Sequence, residues 1–470
     1  MATGTLIIIN TMLPWLLGCI VGIHIARLSP RIPGLTLIAA GTGGLLGYFA
    51  LALGMWTADH YGSSLLNSNF LLILGTITAL GLTSLFGVIE PRRMNSGYRP
   101  LTALLAFLLL ANAGWKLHEN LMLPAQGWDV LDHWGRVARL FILHTQKNQA
   151  AAFEVPYLHP ATLNLVLAWS SWISINTAPG LARIITWSIP WLAFAISAAL
   201  IVAGWAKNQT RNKTLVILLV IIGWSIPLIE NHQTVSGYSE FPLGVGLLGG
   251  TTLMALALQE KSISLLGFGA LVSLTPLFVK NIGLAFTLAP VLALVITEAF
   301  LQKNKGFWLV LITSAATAFL VWNLGFSLET PWVTLGFDNE NRTISFAGRT
   351  MEMVFPSIEQ LIRNEAYSRF LNQSFSIAPI TLAIMVIAVL QTKNEDKREK
   401  APALFLVITM ALLLCAHVGS QFLDYGLKFA VPERDTGYSR FSIPTFMLLP
   451  VLAASAINSI ERGWPKRGGH

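Results

Sequence analysis

Four acids and four of the nine histidines in this chain crowd into residues 118–160. The acids are Glu119, Asp129, Asp132 and Glu154, the histidines are His118, His133, His144 and His159, and Arg136, Arg139 and Lys147 lie among them. A carboxylate in such a segment can take a proton from an attacking hydroxyl, and nearby cations can stabilise a departing phosphate. Asp129 and Asp132 stand three residues apart, one helical turn, and with His133 could share a divalent cation, Mg or Mn. The chain carries no Asp-x-Asp pair and no His-Glu-x-x-His. No metal ligand set is therefore assigned, and metal dependence stays open.

The segment is more than a solvated loop. Trp134, Val137, Ala138 and Phe141 recur at helical period, while Asp129, Asp132, His133, Arg136 and Arg139 fall mostly opposite. This pattern predicts an amphipathic helix lying along a membrane surface. Further charges stand at the edges of apolar runs downstream. Glu230-Asn-His232 precedes Ser236-Gly-Tyr238-Ser-Glu240-Phe-Pro-Leu243, so Glu240 opens an apolar run. A solvated helix-start acid is the plain alternative there, since the helix dipole favours it. Lys280-Asn281 sits between two apolar stretches with hardly any loop, where a snorkelling lysine is the alternative to an anion site. Arg434, Asp435 and Arg440 close a late polar stretch before the last apolar run. Arginine suits phosphate because its planar fork makes two hydrogen bonds at once.

The elements that must hold these groups are set by composition. The 470 residues are 54% hydrophobic and 11% charged, and mean hydropathy is +0.62. A soluble domain is about 25% charged. Apolar runs long enough to cross about 30 Å of hydrocarbon recur along the chain. Candidate spans are 5–26, 34–56, 69–88, 101–117, 184–204, 214–230, 241–258, 262–279, 282–302, 306–325, 375–391, 401–420 and 441–460. The fold class is therefore an all-α polytopic membrane protein of about 13 transmembrane helices, with interfacial helices in the first large outer loop. The first apolar run has no basic region before it and reads as a retained span. Cys19 and Cys415 both lie in apolar runs and form no metal motif. The net charge of +8 does not indicate nucleic acid, because the bases are scattered through short loops.

Those bases orient the spans, since cytoplasmic loops are enriched in Lys and Arg. Arg27 and Arg31, and the run Glu90–Arg99, belong inside, which puts residues 118–160 outside. Lys207, Arg211 and Lys213 also belong inside. That requires 161–176, an apolar stretch, to dip or lie flat instead of crossing, sheltered by protein or interface. Lys261, Lys303, Lys305, Lys393–Lys400 and Arg462–Arg467 then all fall inside. The chain is read as one domain over 1–470. It has four N-terminal spans in 1–117, an outer loop with interfacial helices in 118–183, and the remaining spans in 184–470 with outer loops 326–374 and 421–440.

With these residues in view, the chain resembles bacterial C-type (GT-C) membrane glycosyltransferases. Asp129-Val-Leu-Asp-His-Trp134-Gly-Arg-Val-Ala-Arg-Leu-Phe141 is similar to that family's first outer-loop signature, and His159-Pro160 to the His-Pro that follows. Gly237-Tyr-Ser-Glu-Phe-Pro-Leu243 resembles its Gly-Tyr-Ala-(Asp/Glu)-Leu-Pro-Leu. Thr275-Pro-Leu-Phe-Val-Lys280-Asn281-Ile-Gly283 resembles its Thr-Lys-Asn-Glu-Gly, and Ser439-Arg440-Phe441 a terminal Arg-Tyr. Ile282 stands where the family has Glu, and Phe441 where it has Tyr. The four elements keep the family's order across about 120–445.

The resemblance implies transfer of a sugar from a polyprenyl-phosphate carrier to a glycan, lipid or protein acceptor. The site would face the periplasm from the bacterial cytoplasmic membrane, and no cofactor is certain. It implies Asp129 as base with Asp132 as the alternative. It also implies Lys280, Arg440, Arg136 and Arg434 on the donor phosphate, and Glu240, Tyr238, His159, Trp134 and His232 at the sugar or acceptor. Two other readings compete. A lipid-linked glycan flippase or transporter would place acids or broken helices near mid-membrane and often carry a repeat between halves. An O-antigen-type ligase would lean on Arg and His in a late loop. Here 326–374 offers Arg342, Arg349, Arg363 and Arg369 but no His.

Overall fold

The computed structural model describes residues 2–28, 32–86, 134–146, 161–173, 179–209, 239–280, 283–302, 305–329, 334–346, 349–352, 400–420 and parts of 444–455. These residues are mostly helical. Six of their helices are long and apolar enough to cross a membrane. The spans expected at 101–117, 214–230 and 375–391 lie outside the described residues, and that at 441–460 is described only in part. The chain divides into two units, residues 1–208 with 212–249 and residues 209–211 with 250–470.

In the first unit α1 (Ala2–Leu28) and α2 (Leu35–His60) form a close antiparallel pair. Glycine makes the approach. A Cβ on Gly18 would collide with the carbonyl of Gly43, one on Gly22 with that of Ala39, and one on Gly47 with that of Pro14. Packing of backbone on backbone is how apolar helices associate where water supplies no driving force. Gly34, at φ +81°, opens α2 in the left-handed region, and a Cβ there would strike Gly204 O. The helix α3 (Ser68–Phe86) lies against α1 but leaves Leu72, Ile73, Ile77 and Leu80 exposed, an apolar surface suited to lipid. Two shorter helices follow, α4 (Gly135–Gln146) and α5 (Thr162–Ser171), then the long α6 (Pro179–Gln209). Tyr48 of α2 meets Phe194 of α6 edge to face, and Trp15 of α1 donates from Nε1 to Ser197 Oγ at 2.9 Å.

Within 161–176, the described residues 161–173 form the ten-residue α5 and the turns at its ends. Ten residues rise about 15 Å, half the hydrocarbon thickness, so α5 cannot cross unaided. Leu163 to Ser170 are all buried, and α5 packs on α1, α2 and α4. It is sheltered by protein.

The helix α7 (Glu240–Glu260) is the most deeply enclosed of the long apolar helices. Lys261, at φ 55°, and Ser262 turn it into α8 (Ile263–Ser273), whose first turn Ser262 Oγ caps by accepting from Leu265 N. The span expected at 262–279 is two helices, α8 and the five-residue α9 (Thr275–Val279). Pro276 is the cause. It has no N–H for the carbonyl four residues back, Val272 O. Thr275 Oγ1 donates to that carbonyl instead, at 2.7 Å. The second unit continues with α10 (Gly283–Gln302), α11 (Lys305–Leu324) and α12 (Ala401–Ser420), and α10 packs on both α11 and α12.

Residues 326–352, expected as plain outer loop in an all-α protein, instead form an antiparallel meander. Its strands are β1 (Phe326–Glu329), β2 (Thr334–Asp338), β3 (Thr343–Phe346) and β4 (Arg349–Glu352), in that order. Apolar residues stand at every second position along β1, β2 and β3, the period that a pleated backbone reads. Asp338 fastens the β2–β3 turn. Its carboxylate accepts from Asn341 N at 3.1 Å and Asn341 Nδ2 at 2.6 Å, which holds it below the usual carboxylate range. Arg342, at φ 50°, closes the turn.

Two glycine substitutions should separate these roles. Gly43→Val meets the Gly18 carbonyl and should lower the thermal midpoint in detergent and disrupt the α1–α2 pair. Gly267→Ala, in mid-α8 with nothing within 4 Å of the added Cβ, should stabilise by about 0.5–1 kcal/mol. A neutral Gly43→Val would refute the close approach of the two helices.

Candidate functional site

A proline begins the chain of contacts that positions the polar segment. Pro14, inside α1, cannot bond the carbonyl of Asn10. That free oxygen accepts the indole N–H of Trp169, at 2.9 Å, from the middle of α5. Asn10 answers with its own side chain, Nδ2 donating to Trp169 O at 2.9 Å. Both residues are fully buried. Phe70, at the start of α3, meets the Trp169 ring edge to face, and Trp172 lies beside it. One turn earlier on the same helix, Asn164 Nδ2 donates to the carbonyl of Trp134, the residue just before α4, at 3.1 Å. Thus α1 holds α5, and α5 holds the start of α4.

On α4 the stripe read from sequence is present. Trp134, Val137, Ala138, Phe141 and Ile142 are buried, and Arg136 and Arg139 are exposed. One part of that reading is corrected. The apolar stripe packs on α5, so protein covers it and not lipid. The reason is α5 itself, which brings an apolar surface of its own to the same place.

Glu240 opens α7 and is 1% exposed. It lies in the first turn of the helix, where negative charge is favoured. Ser239 Oγ donates to Glu240 Oε2 at 3.4 Å. Lys280 is 9% exposed and stands between α9 and α10 in extended conformation, φ −155° and ψ 151°. Lys280 N donates to Pro276 O at 3.3 Å, and Gly283 N to Lys280 O at 2.8 Å. A Cβ on Gly283 would collide with Pro276 O, so this reversal requires glycine. The tight turn read at Lys280-Asn281 is therefore held by backbone bonds on both sides of the lysine.

Trp134, Arg136 and Glu240 fall in the first unit and Lys280 in the second. Asp129, Asp132, His159, His232, Tyr238, Arg434 and Arg440 lie outside the described residues. Among the described residues no three of His, Cys, Asp and Glu gather as metal ligands. The Asp129, Asp132 and His133 grouping is outside that set.

Sequence reasoning passed over several groups here. Asn10, Asn164 and Trp169 act through partners 30 to 159 residues away, so no local pattern announces them. Asp59 is a buried carboxylate at the end of α2, followed by His60, which stacks on Trp56 with ring planes 4° apart. An acid at the end of an apolar run was a visible signal, since charges beside spans are functional candidates.

Comparison with protein-family models, with curated proteins and with solved structures finds no match to this chain.

The Pro14 arrangement makes a double-mutant prediction. Trp169→Phe removes the indole donor and leaves the Asn10 carbonyl buried, costing about 1–3 kcal/mol. Pro14→Ala supplies a helical N–H to that carbonyl. Combined with Trp169→Phe it should recover part of the loss in thermal unfolding. Alone it should weaken α5 docking, seen as faster amide exchange over 162–171. Additive losses in the double variant would rule out a shared acceptor.

Proposed function

We propose that this protein transfers a sugar from a polyprenyl-phosphate carrier to a hydroxyl-bearing acceptor at the membrane surface. The observation that carries the reading is the burial of two charges. Glu240 and Lys280, the acid and the lysine of two stretches that resemble GT-C glycosyltransferase motifs, are enclosed at helix ends in a chain with few charges. Burying an ion is costly, and buried ions inside membrane proteins tend to serve function.

In this mechanism Asp129, with Asp132 as the alternative, accepts the proton of the acceptor hydroxyl. The new bond joins the acceptor oxygen to the anomeric carbon, and the bond from that carbon to the phosphate oxygen breaks. Positive charge on the sugar passes through an oxocarbenium-like state, as in glycoside hydrolysis. Lys280, Arg440, Arg136 and Arg434 take up the negative charge growing on the leaving phosphate. Glu240 orients the sugar or acceptor, with Tyr238, His159, Trp134 and His232 around it. An aspartate at its reference pKa of about 4 is a weak base, so positioning supplies much of the rate. The bacterial cytoplasmic membrane, with the site toward the periplasm, is the setting that fits the distribution of basic loops.

The test is transfer by the full chain in lipid vesicles, with a panel of polyprenyl-phosphate sugars and soluble or lipid acceptors. Asp129→Asn should abolish turnover with insertion and thermal midpoint unchanged. Lys280→Met should lose about 100-fold in kcat, the order seen when one charge-stabilising donor is removed. Near-wild-type turnover in Asp129→Asn would remove it as the base. Wild-type movement of a lipid-linked glycan across the vesicle without transfer would favour a flippase.

A further inference from the structure

The four-stranded meander is two-faced, and its pairing shows this residue by residue. Phe326 pairs with Phe337, Phe337 with Ile344, and Ile344 with Met351, so one cross-strand row is wholly apolar. Two residues along, Leu328 pairs with Leu335, Leu335 with Phe346 and Phe346 with Arg349, a row that is apolar up to the arginine at its end. The neighbouring row, on the opposite face, is Ser327, Gly336, Ser345 and Thr350. Ser345 and Thr350 join their hydroxyls there at 3.1 Å. Phe326, Phe337 and Ile344 keep partial exposure.

The sheet's position identifies what meets the apolar face. It begins directly after α11, with only Gly325 between Leu324 and Phe326. The surface of α11 is exposed and apolar at Leu309, Ile312, Phe319, Leu320 and Leu324. Gly325 closes the helix, its N–H donating to Val321 O at 3.0 Å, and β2 packs against α11. Two residues reach at most about 7 Å. The polar layer of a bilayer is about 6 Å deep on each side of the hydrocarbon. A strand tied so closely to a lipid-facing helix starts inside that layer.

We propose that the meander lies flat on the bilayer as an amphipathic sheet. Its Phe326–Phe337–Ile344–Met351 row rests on the boundary between headgroups and acyl chains, and its Ser327–Gly336–Ser345–Thr350 row faces water. Interfacial binding of this kind scales with buried apolar area. Backbone groups at the open sheet edges remain within reach of water and headgroups, which the hydrocarbon core would not allow. This surface is independent of the glycosyl-transfer reading, since it requires only that α11 sit in lipid.

The experiment uses the full chain with Cys19→Ala and Cys415→Ala, in phosphatidylcholine–phosphatidylglycerol vesicles. Single cysteines are placed by Phe326→Cys and Ile344→Cys on one face and Ser327→Cys and Thr350→Cys on the other. Leu320→Cys in α11 is the lipid reference. Each is nitroxide-labelled, and relaxation by oxygen, concentrated in lipid, is compared with relaxation by a water-soluble nickel chelate. Labels at 326 and 344 should favour oxygen, as at 320, and labels at 327 and 350 should favour nickel, a change of sign across one residue. Nickel preference at 326 and 344 would overturn the proposal. Shielding of those two labels from both reagents would also overturn it, by showing protein covering the face. Two positions on each face guard against a label that disrupts one strand.

Discussion

One carbonyl oxygen, that of Asn10, sets the arrangement of the first unit. In an unbroken helix it would be consumed by the residue four positions on, but that residue is Pro14. A buried carbonyl without a partner costs free energy on the order of a lost hydrogen bond. The Trp169 indole satisfies it, and the Asn10 amide satisfies Trp169 O in return. A short apolar helix thereby acquires a fixed address inside the bundle. Its next polar residue, Asn164, then fixes the entry to α4 through Trp134 O. Asp132 is two residues before Trp134, so the stretch that gathers four acids and four histidines is covalently tied to this anchored point.

The second unit solves a related problem by local means. Pro276 frees Val272 O, and Thr275, the preceding residue, covers it. The two cases differ in reach. Covering by a neighbour breaks a helix and creates the short α9 that leads into Lys280. Covering by a distant tryptophan joins two helices. In both, the low-dielectric surroundings make the unmet backbone group expensive and so make its partner specific.

Much of this was legible in sequence because it depends on local period. The long helices follow from apolar length, the α4 stripe from helical spacing, and the tight turn at Lys280 from the lack of residues to build a loop. What covers the stripe was not legible, since α5 reaches it through contacts that no window of sequence contains. The burial of Glu240 was foreshadowed by its place at the head of an apolar run, but its degree depends on tertiary packing that no local pattern gives. The meander was missed for a different reason. Its alternation is plain in Phe-Ser-Leu-Glu and Thr-Leu-Gly-Phe-Asp, yet strands of four or five residues between turns look like loop when longer helices dominate the page. The candidate acid Asp129 rests on residue type and resemblance.

The single glycine between α11 and β1 leaves little slack. Because β2 also packs on α11, helix and sheet behave as a lever with a short arm. Hydrophobic helices tilt when the bilayer is thinner than their apolar length. A 20-residue helix is about 30 Å long, so a tilt of about 10° displaces its end by about 5 Å. The sheet would be carried with it, and membrane thickness would become a mechanical input to the surface beside the bundle.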